Sequence, residues 1–308
     1  MIVKPTQIQP KKTSAILIYG QPGIGKTTLA LSSKNPILLD FDGGVSRVNA
    51  LHRCDTDQLE NGWSDVVADL QAIKGQYSTL VIDNLEKAIE MIEANIKQSG
   101  AKLRKDGSLT MQGYGQRKMM FKQFKASVAT LGMNLVIVAH QIEETNEDTG
   151  AKTIRPALGK SLGDTVLGEM DVIAYMSQIG NDRVLTLGGD DRLYTKNTFG
   201  AVNRMTVPTL DSSTDNNFLA MVQEAYVTTQ NNKADVDKQY TELCSKYDGM
   251  IANAENAEQL TDLIDYINDA EHVYDSKNRA KKNIMERAKE LGLVWDKANV
   301  CFTAEEGK

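Results

Sequence analysis

AILIYGQPGIGKTTLALSS, residues 15–33, runs from an apolar segment through a glycine-rich turn into a helical pattern. Ala15 to Tyr19 reads as a short buried strand, and the helix begins at Lys26. Gly20, Gly25, Lys26 and Thr27 stand at the spacing G-x-x-x-x-G-K-[ST] in that strand–turn–helix context. Backbone N–H groups of such a turn curl around a polyphosphate at the positive end of the following helix. Gly20, Gln21, Pro22, Gly23, Ile24 and Gly25 form the expected cradle, and Thr28 follows it into the helix. Lys26 brings a point charge to the β- and γ-phosphates, and Thr27 offers a hydroxyl to Mg²⁺. The expected ligands are ATP and Mg²⁺.

A nucleotide hydrolase needs a second carboxylate motif, and YSTLVIDNL, residues 77–85, supplies it. Three apolar residues precede Asp83, so its side chain emerges at the carboxyl end of a buried strand, the edge where open α/β sheets bind ligands. There it can hold the Mg²⁺ that bridges the phosphates. The competing reading is a cap for a helix starting near Asn84. Many phosphate-loop ATPases place a Glu directly after this Asp; here Asn84 stands there, so the group that activates water comes from elsewhere. PILLDFDGG, residues 36–44, offers Asp40 and Asp42. Asp42, beyond the strand and before two glycines, is the better candidate, against the reading that both aspartates cap a turn. NLVIVAHQIEE, residues 134–144, ends a strand in His140 and Gln141. Both side chains can hydrogen-bond phosphate or water. Gln141 is expected to sense the γ-phosphate, and His140 either contacts it or sits beneath the site.

The chain has 308 residues, 41% hydrophobic, enough for one large or two modest domains. Its net charge of −6 excludes wholesale coating of nucleic acid, so any such site is local. Cys54, Cys244 and Cys301 lack metal-ligand spacing and suit a reducing cytosol. MIVKPTQIQPKKTS at the start has no secretory core, and no run approaches membrane-spanning length. A soluble, cytoplasmic protein without a membrane partner is expected.

From residue 15 to about 208 strands and helices alternate, with strands at 15–19, 36–40, 78–82, 134–139, 171–176, 183–187 and 193–195. Helices fall at 26–33, 63–74, 85–98 and 114–131. This alternation predicts an α/β fold with a mostly parallel sheet and helices on both faces. The expected organisation is an arm at 1–13, a core domain at 14–226, a polar linker at 227–234 and a helical C-terminal domain at 235–308. In the last, Leu260, Leu263, Ile264 and Ile267 mark one apolar face, and Ile284, Ala288 and Leu291 another.

The phosphate loop, the LVIDN strand, the LDFDGG turn and the VIVAHQ strand together resemble the RecA-like branch of phosphate-loop ATPases. More narrowly, the chain resembles bacteriophage AAA-family nucleotide-binding proteins of the Sak type, implicated in single-strand annealing and recombination. The resemblance covers about residues 13–208. It implies a RecA-like ATPase that oligomerises as a ring or filament on single-stranded DNA, in the host cytoplasm if phage-encoded. YTKNTFG, residues 194–200, is similar to the family's Lys-Asn-Arg-Phe-Gly segment, whose basic residues reach a neighbouring subunit's ATP. With Thr198 in place of the Arg, the resemblance leaves Lys196 to act in trans. Asp42 stands where RecA proteins carry a Glu, one methylene longer.

A local nucleic-acid site is expected in AKLRKDGSLTMQGYGQRKMMFKQFK, residues 101–125. Lys102, Arg104, Lys105, Arg117 and Lys118 would track the backbone, and Tyr114 between two glycines would stack on a base. A solvated cationic helix face is the alternative. The loop after Gln141 begins acidic, although Lys152, Arg155 and Lys160 follow. A single-strand-binding protein or another recombination protein is a possible partner of the C-terminal domain. Two further functions fit the same motifs: a ring helicase or translocase, and a nucleotide-gated DNA-binding scaffold with little hydrolysis.

Overall fold

The computed structural model describes residues 11–59, 62–198, 200, 202–210 and 215–304. The expected arm before residue 11 and Phe199 of the basic segment lie outside them, as does the side chain of Lys160. The chain divides into two compact units between Thr228 and Thr229. The first contains β1 (Ala15–Gly20), α1 (Lys26–Ala30), β2 (Pro36–Asp40), β3 (Asp55–Asp57), α2 (Trp63–Ala72), β4 (Thr79–Asp83) and α3 (Leu85–Gln98). It continues through α4 (Met111–Thr130), β5 (Asn134–Thr145), β6 (Lys152–Pro156), α5 (Lys160–Glu169), β7 (Val172–Ile179), β8 (Asp182–Thr186), β9 (Lys196–Asn197), β10 (Arg204–Val207) and the start of α6 (Phe218–Ala252).

The sheet runs in the order β10-β8-β7-β1-β5-β4-β2-β3. From β7 to β3 every neighbouring pair is parallel. Antiparallel pairing enters only with β8 and β10 at one edge, and with β6 and β9 off the main path. The mostly parallel sheet expected from the alternation of elements is therefore present. Both faces are covered, which is why its strands read as unbroken apolar runs. Ile16 and Ile18 of β1 pack with Leu29 and Ala30 of α1 and with Leu219, Val222 and Tyr226 of α6. Leu17 and Tyr19 point to the other face, among Val66 of α2, Ile92 of α3, Phe121 of α4 and Val166 of α5.

Some elements differ from expectation. At 193–195 Leu193 makes only an isolated bridge to Ile154, and the pairing with β7 comes from Lys196 and Asn197. Asp-Thr-Asp of β3 has no apolar residue to betray a strand, and α5 carries Gly163 and Gly168, weak helix formers. Helix α4, expected from residue 114, starts at Met111 with Thr110 as its cap, so both glycines that flank Tyr114 lie within it.

The polar stretch 227–234, expected as a linker, is helical and lies within α6. The second unit continues with α7 (Ala257–Asp269) and α8 (Ser276–Glu290). Leu260, Leu263, Ile264 and Ile267 meet Ile284, Ala288, Tyr247 and Ile251 in its core, with Leu291 half-buried beside them. The expectation of helices alone is corrected by an antiparallel hairpin, β11 (Leu293–Asp296) and β12 (Cys301–Ala304). Trp295 and Phe302 pair across it edge to face, their rings 4.9 Å apart. Four-residue strands are too short to stand out against a helical pattern.

Candidate nucleotide-binding site

Gly20 ends β1 and pairs with His140 on one side and Met176 on the other. A Cβ here would lie 2.3 Å from the Met176 carbonyl oxygen, so only glycine fits. Gly25, with φ of 101°, takes the left-handed conformation that turns the chain into α1. Gln21, Pro22 and Gly23 are exposed, and Ile24 is half-buried. Lys26 is buried, and its Nζ donates to the carbonyls of Gly20 (3.0 Å) and Gln21 (2.8 Å). Burial pushes its pKa down, while the charges of Asp83 and Glu86 pull it up.

Thr27 Oγ1 donates to Asp83 Oδ2 at 2.5 Å, although the two residues are 56 apart in sequence. Burial raises the Asp83 pKa, the Thr27 hydrogen bond opposes that, and the charges of Asp40 and Asp42 add to the rise. Among the described residues no group of three or more His, Cys, Asp or Glu is arranged to hold a metal. One hydroxyl and one carboxylate side by side suit Mg²⁺, which keeps several waters and shares phosphate oxygens instead of filling an all-protein cage.

The two aspartates of the LDFDGG turn behave differently. Asp40 is buried; its Oδ1 accepts from Gly44 N (2.9 Å) and its Oδ2 from Val45 N (3.0 Å). Its carboxylate is thus engaged in folding the turn. Asp42 is about one-third exposed, and its Oδ2 accepts from Arg47 Nη2 at 2.8 Å. It stands close enough for its charge to reach Asp83, but in an ion pair facing solvent.

His140 and Gln141 stand where β5 passes the phosphate loop. The Gln141 side chain lies beside the Tyr175 hydroxyl of β7 and pulls its pKa down, against the larger rise from burial. His140 Nε2 lies 3.4 Å from Asn84 Nδ2, and Asn84 also caps α3 by accepting from Lys87 N. His140 Nδ1 and Gln141 Oε1 are buried without a hydrogen-bond partner among the described residues. Glu86, in the first turn of α3, joins this group: its Oε1 accepts from His140 N at 2.7 Å. Its Oε2 is also buried without a partner among the described residues. Glu86 does not stand out in the sequence, because an acidic residue in a first helical turn reads as a favourable charge against the helix dipole. The signal it does carry is its place in the first turn of the helix that directly follows Asp83 and Asn84. Arg183 of β8 is a second such residue: a Cβ on Gly25 would lie 3.6 Å from its Cζ. A cavity of about 120 Å³ opens there, lined by Thr28, Met176, Arg183, Asn216 and Phe218 among others.

The expected nucleic-acid residues fall into two groups. Lys102, Arg104 and Lys105 are exposed on a tight turn closed by the Leu103–Leu109 bridge and by Arg104 N donating to Ser108 O (2.9 Å). Arg117 is mostly buried and ion-paired with Glu93. Tyr114 packs against the core with the Arg117 guanidinium 4.8 Å from its ring centre and that of Arg104 at 5.8 Å. An intramolecular cation thus already covers the ring expected to stack on a base. Lys118 is half-buried on the same helix. On the hairpin after Gln141, Lys152 pairs with Glu143 and Arg155 with Glu144. Lys196, expected to project from a subunit edge, instead turns its Nζ onto the carbonyls of Gly168 (3.1 Å) and Met170 (2.5 Å) at the end of α5.

The family model described as AAA domain matches residues 12–199. The SPbeta prophage-derived uncharacterized protein YorG of Bacillus subtilis (strain 168) is 21% identical over 182 residues, 54% of this chain and 51% of that protein. The chain therefore spans about half the length of this curated relative. Among solved structures, the crystal structure of the RadB recombinase aligns at a TM-score of 0.32 and 12% identity, over 57% of this chain and 80% of that one. No helix among the described residues is long and apolar enough to cross a membrane.

Proposed function

The chain belongs to the AAA domain family, and on that premise we propose that it is a Mg²⁺-dependent, RecA-like ATPase of phage recombination. It binds single-stranded DNA as an oligomer and promotes annealing or strand exchange. One observation carries the ATPase reading. Lys26, Thr27 and Asp83 converge at the carboxyl ends of β1 and β4, and β5, passing beside them, brings up His140 and Gln141 from its middle. In this reading the loop amides from Gln21 to Thr28 and the Lys26 ammonium bind the phosphates. The ammonium leaves the Gly20 and Gln21 carbonyls to do so. Thr27 and Asp83 would hold Mg²⁺, which would supply charge neutralisation at the phosphates. Gln141, with His140, reads the γ-phosphate, and the cavity beside Thr28 accepts part of the nucleoside.

The DNA reading rests on the turn bearing Lys102, Arg104 and Lys105, all three exposed. The C-terminal unit is assigned to a protein partner, a single-strand-binding protein or another recombination protein. A second reading, a scaffold gated by nucleotide without turnover, is favoured by the Asp42–Arg47 ion pair, which occupies the candidate for activating water. The deciding measurement is steady-state phosphate release from ATP, with and without Mg²⁺ and single-stranded DNA, in the parent and in Lys26→Ala. Turnover that needs Mg²⁺ and vanishes in Lys26→Ala is expected. Nucleotide-dependent DNA binding with no phosphate release would select the scaffold, and Lys26→Ala at the parent rate would remove the phosphate-loop assignment.

A further inference from the structure

A hydrolytic site must orient the attacking water and take its proton, and among the described residues neither aspartate of the LDFDGG turn keeps a buried, unengaged oxygen for that work. Asp40 spends its oxygens on Gly44 N and Val45 N, and Asp42 is paired with Arg47. Glu86 differs from both. The His140 N–H fixes one of its oxygens, so the carboxylate has a defined orientation. The other oxygen is out of water and makes no hydrogen bond among the described residues. A buried acceptor left in that state has a strong tendency to engage a donor. His140, its anchor, is the register neighbour of Gly20 at the start of the phosphate loop. We propose that Glu86, resting on the ATPase reading above, is the catalytic residue that holds and deprotonates the attacking water through Oε2.

The step balances without further reagents. The water oxygen bonds to the terminal phosphorus while the bond from that phosphorus to the β–γ bridging oxygen breaks. The bridging oxygen leaves on the diphosphate with the electron pair. One water proton passes to Glu86 Oε2 and from there to solvent. Lys26 and His140 are the charged and titratable groups that face this carboxylate from α1 and β5. Burial raises the Glu86 pKa toward the range useful to a general base, and the His140 N–H and the Lys26 charge limit that rise. The interaction is invisible in sequence because Glu86 and His140 are 54 residues apart.

The test compares Glu86→Gln, Glu86→Asp and Asp42→Asn with the parent, measuring kcat and KM for ATP and the affinity for Mg·ATP by calorimetry. Gln can still accept from His140 N, so the fold and Mg·ATP affinity are expected to persist while kcat falls on the order of a hundredfold or more. Glu86→Asp retains the charge and should retain more turnover than Glu86→Gln. A kcat for Glu86→Gln within twofold of the parent overturns the proposal, as does a larger loss in Asp42→Asn. A parent that releases no phosphate removes the ATPase reading and the role of Glu86 together, whereas a turning-over parent with an active Glu86→Gln removes Glu86 alone.

Discussion

Asp40 and Asp42 sit two positions apart with the same side chain, yet their surroundings give them different work. Asp40 is buried and accepts from main-chain N–H groups of the turn that follows it. In Asp40→Asn one acceptor becomes an NH₂ group facing an N–H donor. Leaving such groups unpaired costs about 1–3 kcal/mol. Asp42→Asn loses one solvent-facing ion pair, worth about 0–1 kcal/mol. Urea denaturation should therefore show a clear drop in midpoint for Asp40→Asn and little change for Asp42→Asn; the reverse order would contradict this assignment of roles. The sequence names both carboxylates and their turn. Which one is buried depends on β2 lying beside β4, where Asp40 pairs with Asp83.

At the scale of the element, the turn before α4 and the helix itself should respond differently to mutation. Lys102, Arg104 and Lys105 project from a turn whose backbone is closed by its own hydrogen bonds, so replacing them by Ala removes charge and, of packing, the outer Arg104–Tyr114 contact at 5.8 Å. The triple variant should bind single-stranded DNA more weakly and with a flatter salt dependence, each lost phosphate contact removing roughly 0.7 from the log–log slope. Its thermal stability should match the parent. An unchanged slope, measured by fluorescence anisotropy over a range of salt, would reduce the turn to a solvated surface. Arg117 cannot serve as an equivalent probe, because it holds Glu93 and covers Tyr114. Seven basic residues within 101–125 look alike in one dimension, and only the packing of α4 against α3 and α5 divides them: Arg117 meets Glu93 of α3, and Lys125 meets Glu169 of α5.

At the scale of the whole molecule, each of the two units packs its own core among the described residues. The sheet of the first unit is buried on both faces, while the second unit packs α7, α8, the end of α6 and one hairpin around Ile267 and Ile284. Ile267 is fully buried, so Ile267→Ala should cost about 2–5 kcal/mol in its own unit. Scanning calorimetry is expected to show the transition of the 229–308 unit lowered and that of the 11–228 unit unmoved. A single transition shifting as one would mean that the two cores melt together.

The sequence by itself determined the phosphate loop, the strand ending in Asp83, the α/β class and the apolar faces of α7 and α8. Each of these is a local pattern, set by glycine conformation, by runs that need burial on both faces, or by 3.6-residue periodicity. It did not determine the short strands β3, β9, β11 and β12, which exist because a neighbour pairs with them and not because their own residues demand it. Nor did it mark the continuity of α6 through a polar stretch. Only the tertiary structure decided which charged groups are spent and which are available. Lys196 is taken up by the end of α5, Asp40 by its own turn and Arg117 by Glu93, while Glu86 is anchored by a residue 54 positions away with one oxygen to spare. The physical reason is that a side chain's type sets what it can bond, whereas burial and nearest partner, which only the fold supplies, set what it does bond.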